Sequence, residues 1–356
     1  MKTRYGIHTI QMTMLLSRKW YDKMFETLSQ KKGDGVFYKD MNYQSDAGIE
    51  KHICTYFCNR GVVLYLFVQK KHKNKTKRNS PCFLQFRINP LTLIEGRYSP
   101  KDVFQAKDKQ LKMLESGMND LLREIGLNKT FEQLKLSRID CCLDCFPESQ
   151  EYSDEVLRII RRSPYMRSYH KIQFPYEDPH HKQKNKHSWR IKCKSIILTV
   201  YDKAFQLLEE ELIEQPSGPM LRIEVSRNSA SFQRSLSDEI KGSNQKILKT
   251  IQEDAQRTIQ KYLKSVNTGR CYIKFERCIE RIDAEIKNRK TRSHMKKFAE
   301  KLSKCKSYAQ AVENSGLSKS QIKTVRSHFK KLGISPITLR NQAKMDELSL
   351  PGFDRK

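Results

Sequence analysis

No stretch of this sequence is apolar for long enough to cross a bilayer. The longest run, GVVLYLFV at 61–68, falls far short of the ~18 residues a membrane helix needs and reads instead as a buried strand. The N-terminal MKTRYGIHTIQMTMLLSRKW has no uninterrupted apolar region and no small-residue cleavage site, so no export signal is expected. Nor is there a disulfide framework: the ten cysteines are irregularly spaced, as suits a reducing compartment. Cys142 and Cys145 lie three apart in a strand-like stretch, where they point to opposite faces and cannot share a zinc ion. Cys54 and Cys58 lack a second close pair downstream. No internal repeat is present. These exclusions leave a cytoplasmic protein.

Acid is scarce as well. Lys and Arg number 69 against 40 Asp and Glu, a formal charge of +29 over 356 residues. The natural partner of such a surface is a polyanion, and nucleic acid is the commonest one in a cell. A basic segment, KKHKNKTKRN (70–79), is set between two strand-like stretches and reads either as a solvated hairpin tip or as a phosphate-contacting finger.

The length allows two or three domains. Residues 1–48 read as a separate polar segment, and 49–234 as an α+β domain with an antiparallel sheet carrying helices on one face. A basic helical region follows over 235–340, then a poorly ordered tail, 341–356. Within the α+β domain, 99–127 is expected as a helix with a Ser-x-x-Asp start, and 153–163 as a second amphipathic helix.

Three strand-like segments place charge on one face only. With a period of two, Arg138, Asp140, Cys142 and Asp144 share a face in RIDCCLDC, opposite Ile139, Cys141, Leu143 and Cys145. In SIILTVYDK, Thr199, Tyr201 and Lys203 oppose Leu198 and Val200, and in MLRIEV, Arg222 and Glu224 oppose Leu221, Ile223 and Val225. This pattern predicts a sheet packed on helices through its apolar face, with the polar face open. Carboxylates beside Lys, Arg and Tyr suit a divalent ion and phosphate chemistry; ordinary salt bridges would give the same pattern.

The ordered set Arg-x-Asp-x-x-x-Asp (138–144), Tyr-Asp-Lys (201–203) and Leu-Arg-Ile-Glu (221–224) resembles plasmid and phage rolling-circle replication initiators. The likeness is greatest to the Rep_trans and phage gene II-like groups of the His-hydrophobic-His endonuclease superfamily, and it spans roughly residues 50–230. It implies a nuclease-like domain whose tyrosine attacks one DNA strand, leaving a 5′-phosphotyrosyl enzyme and a free 3′-OH. It also implies Mg²⁺ or Mn²⁺ held by Asp140, Asp144 and Glu224, with Lys203 contacting phosphate and host helicase and polymerase as partners. The chain departs from the family in having no His-hydrophobic-His triplet; His180 and His181 are adjacent in a loop. Where related proteins place the nucleophile, this chain has His187 and Trp189. Tyr176, Tyr201 and Tyr262 are therefore all candidates, in that order.

Residues 307–335 have a helix-turn-helix pattern. Val312, Gly316, Leu317, Ile322 and Val325 occupy packing positions, and as a DNA-binding motif the second helix would present Lys319, Gln321, Lys323 and Arg326 to a groove; a generic helical hairpin would give the same pattern. The expected function is replication initiation by nicking at an origin, on duplex and single-stranded DNA. The alternatives are an origin-binding replication or partition protein that does not cut, and a basic RNA-binding protein.

Overall fold

The computed structural model describes all residues except 1, 32, 34, 45–48, 70–80, 101, 165, 167, 174–183, 211–213, 215–217, 267–270 and 352–356. The basic segment 70–79 thus lies outside the described residues. The principal strands are β1 (Lys2–Leu16), β2 (Val36–Gln44), β3 (Ile49–Phe57), β4 (Val62–Gln69), β5 (Cys82–Ile88), β6 (Lys135–Phe146), β7 (His170–Ile172), β8 (Ser188–Lys192), β9 (Ile196–Asp202) and β10 (Leu221–Asn228). The architecture is α+β, with antiparallel pairing and a mostly helical C-terminal region. Two compact units are built from interleaved segments: Arg4–Cys142 with Val225–Gln256, and Met1–Thr3 with Leu143–Glu224 and Arg257–Lys356. β6 and β10 each pass from one unit to the other.

In the first unit the strand order is β2-β3-β4-β5-β1-β6. The register aligns Ile10 with Ile88 and Met12 with Phe86 on one side of β5, and Leu64 with Phe86 and Leu66 with Leu84 on the other. These side chains share one face and are fully buried. Their neighbours Gln11, Thr13, Gln85 and Arg87 alternate onto the other face, where none is buried. The helix Arg18–Gln30 packs its buried Met24 and Leu28 on β3, β4 and β5. Alternation of this kind marks a sheet with one packed and one solvated face.

Residues 1–48, read from sequence as a separate segment, therefore supply β1, a packed helix and β2. β1 alternates too, but its apolar positions are diluted by Thr, Gln and His, and only pairing with β5 completes its core face. The expected helix over 99–127 starts later, at Asp108. The Ser99 hydroxyl donates to Asp102 at 2.7 Å instead of capping a helix, and Phe104 bridges to Ile7 of β1. The strand-like sequence ahead of the basic segment is broken by Gly61, whose φ of +60° turns β3 into β4. A Cβ there would meet Thr92 at 2.5 Å, so only glycine fits.

In the second unit the order is β6-β10-β9-β8-β7. The helix Gln150–Arg162 packs on β8 and β9. The C-terminal helices Phe275–Glu285, Arg289–Lys304, Tyr308–Asn314 and Lys319–Leu332 pack together through Cys278, Ile282, Phe298, Leu302, Val325 and Phe329. The tail expected to be loose is packed as far as Pro351. Leu348 and Leu350 are buried, Glu347–Leu348 pairs with Tyr272–Ile273, and the Tyr152 hydroxyl donates to the Ser349 carbonyl. Its apolar residues are too few to register as an element, yet Ala343, Leu348 and Leu350 each find a buried site.

Candidate active site

The two-residue period carries β6, β10 and β9 into register. In the second unit, Asp144 on β6 faces Arg222 on β10, and the guanidinium donates to both carboxylate oxygens, from Nε at 2.5 Å and Nη2 at 2.7 Å. Both side chains are essentially inaccessible, 0% and 1% exposed. Two residues along β10, Glu224 accepts from the Tyr201 hydroxyl of β9 at 3.3 Å. Both of these side chains remain partly exposed. Asp144, Arg222, Glu224 and Tyr201 thus form one polar row across three strands.

Lys203 joins this row from a different element. The sequence set it on the strand face; in the structure it is the first residue of the helix Lys203–Glu209. Asp202 stops the strand by capping that helix, accepting from the Phe205 amide at 3.0 Å, a common use of Asp. The Lys203 ammonium is buried and donates to Gln206 at 3.0 Å. Burial, followed by the Arg222 charge, pulls its pKa down from 10.5 to about 8, against the opposing fields of Glu210, Glu224 and Asp144. Desolvation disfavours an ammonium in this way.

The polar face expected to be open is closed over Asp144, Arg222 and Lys203 and stays accessible at Tyr201 and Glu224. Asp144 and Arg222 are fully buried, and Lys203 nearly so. Charges in such a place persist because each has a partner. Asp140 belongs to the first unit and is buried there. Arg138 donates to it at 2.7 Å and to Ser226 at 3.1 Å.

The three carboxylates assigned to a divalent ion are thus arranged differently from a ligand set. Asp144 turns both oxygens to a guanidinium, Asp140 is bridged by Arg138, and Glu224 accepts from a phenol. Among the described residues no group of three or more His, Cys, Asp or Glu is placed to hold a metal. An ion seated on Asp144 would have to displace Arg222 into a low-dielectric interior. As they stand, these side chains do not fit the ion.

Among the tyrosine candidates, Tyr201 stands in the row. Tyr176 lies outside the described residues, as do His180 and His181. Tyr262 is fully buried, and burial drives its hydroxyl pKa up, so it has no path to a substrate. His187 stacks on Phe205 with ring centres 3.7 Å apart, and its Nδ1 lies 3.9 Å from Asp202. Burial lowers its pKa. Sequence reasoning placed Arg222 on the polar face as one of the cations beside the carboxylates, without pairing it to Asp144, and passed over Ser226 altogether. The signal was present in the alternation Arg222, Glu224, Ser226.

At the C-terminus, Tyr308–Asn314 and Lys319–Leu332 flank a turn through Gly316, whose φ is +63°. Ser318 and Gln321 make a reciprocal cap. The Gln321 amide donates to the Ser318 hydroxyl at 3.2 Å, and the Gln321 side-chain oxygen accepts from the Ser318 amide at 2.8 Å. Gln321 is therefore engaged in starting the helix. Lys319, Lys323 and Arg326 are exposed, with the Arg326 guanidinium 5.9 Å from the Tyr308 ring centre. Ile322 and Val325 are buried as expected, whereas Val312 and Leu317 are half-buried and Gly316 is exposed.

Among solved structures, the chain is similar to a rolling circle replication initiator protein from Geobacillus stearothermophilus. The match has 10% sequence identity and a TM-score of 0.32, and covers 74% of this chain and 86% of that one. No family model matches the sequence, and no curated protein does. Among the described residues no helix is long and apolar enough to cross a membrane.

Proposed function

We propose that this protein binds origin DNA and initiates rolling-circle replication by breaking one strand through Tyr201. The observation that carries the reading is the Tyr201 hydroxyl, 3.3 Å from the Glu224 carboxylate and on the same polar row as Arg222 and Lys203. A phenol with an ordinary pKa near 10 is a weak nucleophile at neutral pH and needs a base in hydrogen-bond reach. Glu224 is that base. As the phenolic oxygen bonds to phosphorus, its proton passes to Glu224, and the bond from phosphorus to the 3′-oxygen breaks. The departing 3′-oxygen takes a proton from water, leaving a 3′-OH for a polymerase and a 5′-phosphate on Tyr201. The Lys203 ammonium offsets part of the growing negative charge through a water-poor interior, where such fields act strongly, while Arg222 is already neutralised by Asp144. No step is assigned to a metal, because the carboxylates are committed to arginines and to the phenol.

A second reading is favoured by the closure of the polar face: the protein holds origin DNA without cutting it. A labelled single-stranded oligonucleotide from the cognate origin separates the two. Wild-type protein should acquire a covalent label that Tyr201→Phe lacks, with nicking reduced by a factor of about 10² or more. Retained duplex binding with no adduct supports the second reading. An adduct lost in Tyr176→Phe but kept in Tyr201→Phe moves the nucleophile to 176.

A further inference from the structure

A second charged feature of the same chain takes no part in the chemistry above. Within the second unit, a concavity of about 1180 Å³ is bounded by the helices Gln150–Arg162, Phe275–Glu285 and Arg289–Lys304 and by the segment 338–341. Eight Arg and Lys side chains line it, against two acids, Asp283 and Glu300.

The positions on the Arg289–Lys304 helix explain the clustering. Residues 289, 292, 296, 300 and 304 recur at three- and four-residue intervals, with 297 next to 296, so they share one side of the helix. The buried residues Met295, Phe298, Ala299 and Leu302 take another side. At 1.5 Å per residue this charged row is about 22 Å long. That exceeds any mononucleotide and matches about six nucleotides of one duplex strand at 3.4 Å each.

The far wall holds its cations in fixed positions. Arg162 donates to the carbonyls of Leu302 and Ser303 at 3.2 and 3.1 Å. Arg158 and Arg340 both grip the fully buried Glu155. Asp283 is shared by Arg292 and Lys296, and Glu300 pairs with Lys304. Both acids are thus already neutralised. Among the described residues, Arg289 and Lys297 are exposed and have no ion-pair partner. The lining offers only Phe275 as an aromatic surface, so it is made for phosphates and not for stacked bases.

We propose that this cleft is a track for the phosphodiester backbone of nucleic acid, separate from the Tyr201 row and from the exposed face of Lys319–Leu332. It rests on the reading of the chain as a DNA-handling protein. It adds affinity without regard to sequence, since backbone contacts position the protein and carry no base information.

The test uses the full-length chain and the double variant Arg289→Ala/Lys297→Ala. Binding of a mixed-sequence duplex is measured between about 50 and 200 mM salt, the range over which phosphate contacts dominate. Each lost contact lowers the slope of log K against log salt by about 0.9 on duplex, so the variant should lose between one and two units of slope. Affinity at low salt should fall about tenfold or more, equally for origin and unrelated sequences, while the Tyr201 adduct still forms on origin oligonucleotide at saturating concentration. An unchanged slope and affinity overturns the proposal, even with the adduct intact. Loss confined to the origin sequence overturns it too, since the cleft would then be reading bases. Competition by ATP or pyrophosphate at concentrations well below those of ionic screening identifies a small-phosphate site instead. Wild-type protein that binds no nucleic acid refutes the inference together with the function on which it rests.

Discussion

Replacing Asp144 with Asn removes the charge that neutralises Arg222 and leaves the side-chain volume almost unchanged. The guanidinium stays in place, 1% exposed, with Lys203 as a second buried cation whose pKa already reflects its proximity. Breaking a buried pair by deleting one partner is destabilising by about 3–5 kcal/mol, because the remaining charge is uncompensated. Set against a net folding stability of about 5–15 kcal/mol, the loss is large enough to read from urea unfolding monitored by circular dichroism. Replacing both partners with apolar residues of similar volume, Asp144→Leu with Arg222→Met, should recover most of the loss, since desolvation is then removed with the attraction. Adding Mn²⁺ provides the control. An ion held by Asp144 would stabilise the wild type by about 2.7 kcal/mol at a hundred times its dissociation constant, and the ion-pair arrangement requires no such gain. A loss below about 1 kcal/mol in Asp144→Asn, or stabilisation by Mn²⁺ in the wild type alone, would refute the reasoning.

The lowered Lys203 pKa has a definite sign in pH dependence. Between about 8 and 10.5 the unfolded chain binds more protons at this residue than the folded one, so stability rises with pH across that window. Lys203→Met should flatten the rise and raise stability at neutral pH, as measured by denaturant midpoints at pH 7 and 10. Gly61→Ala should destabilise by about 2 kcal/mol or more, from a left-handed backbone and the Thr92 clash, and a neutral result in thermal melts would contradict the turn geometry. Lys323→Ala with Arg326→Ala should weaken DNA binding in gel-shift titrations. Origin and mixed-sequence duplexes will lose affinity unequally if either residue reads a base, and equally if both touch phosphate.

The polar row was legible in the sequence because strand periodicity is local. Counting by twos put Asp144, Tyr201, Arg222 and Glu224 on charged faces, and the contacts Asp144–Arg222 and Tyr201–Glu224 join those faces across the sheet. Its closure was not legible, since burial depends on what packs above a face. Lys203 changed element because the cap at Asp202 acts across a single residue, where strand and helix signals overlap. β1 was hidden for the opposite reason: its partner β5 lies some seventy residues away, and pairing at that separation leaves no local trace. The carboxylates suggested metal because strand periodicity shows which acids share a polar face without showing their partners. The arginines that hold them were in view, but only the fold says which guanidinium meets which acid.

The packed segment 341–351 bears on how the molecule is made. Leu348 and Leu350 complete the second unit, whereas the residues of the first unit end at Gln256. A ribosome therefore releases everything the first unit requires some ninety codons before it reaches the residues that close the second. A message truncated after codon 340 yields a chain with one unit provided for and the other missing its closing strand, with Tyr272 and Ile273 unpaired. Such a product presents an open edge and uncovered apolar side chains to the cell's proteases. Synthesis through Leu350 thus becomes the condition for the half that carries Tyr201 to survive.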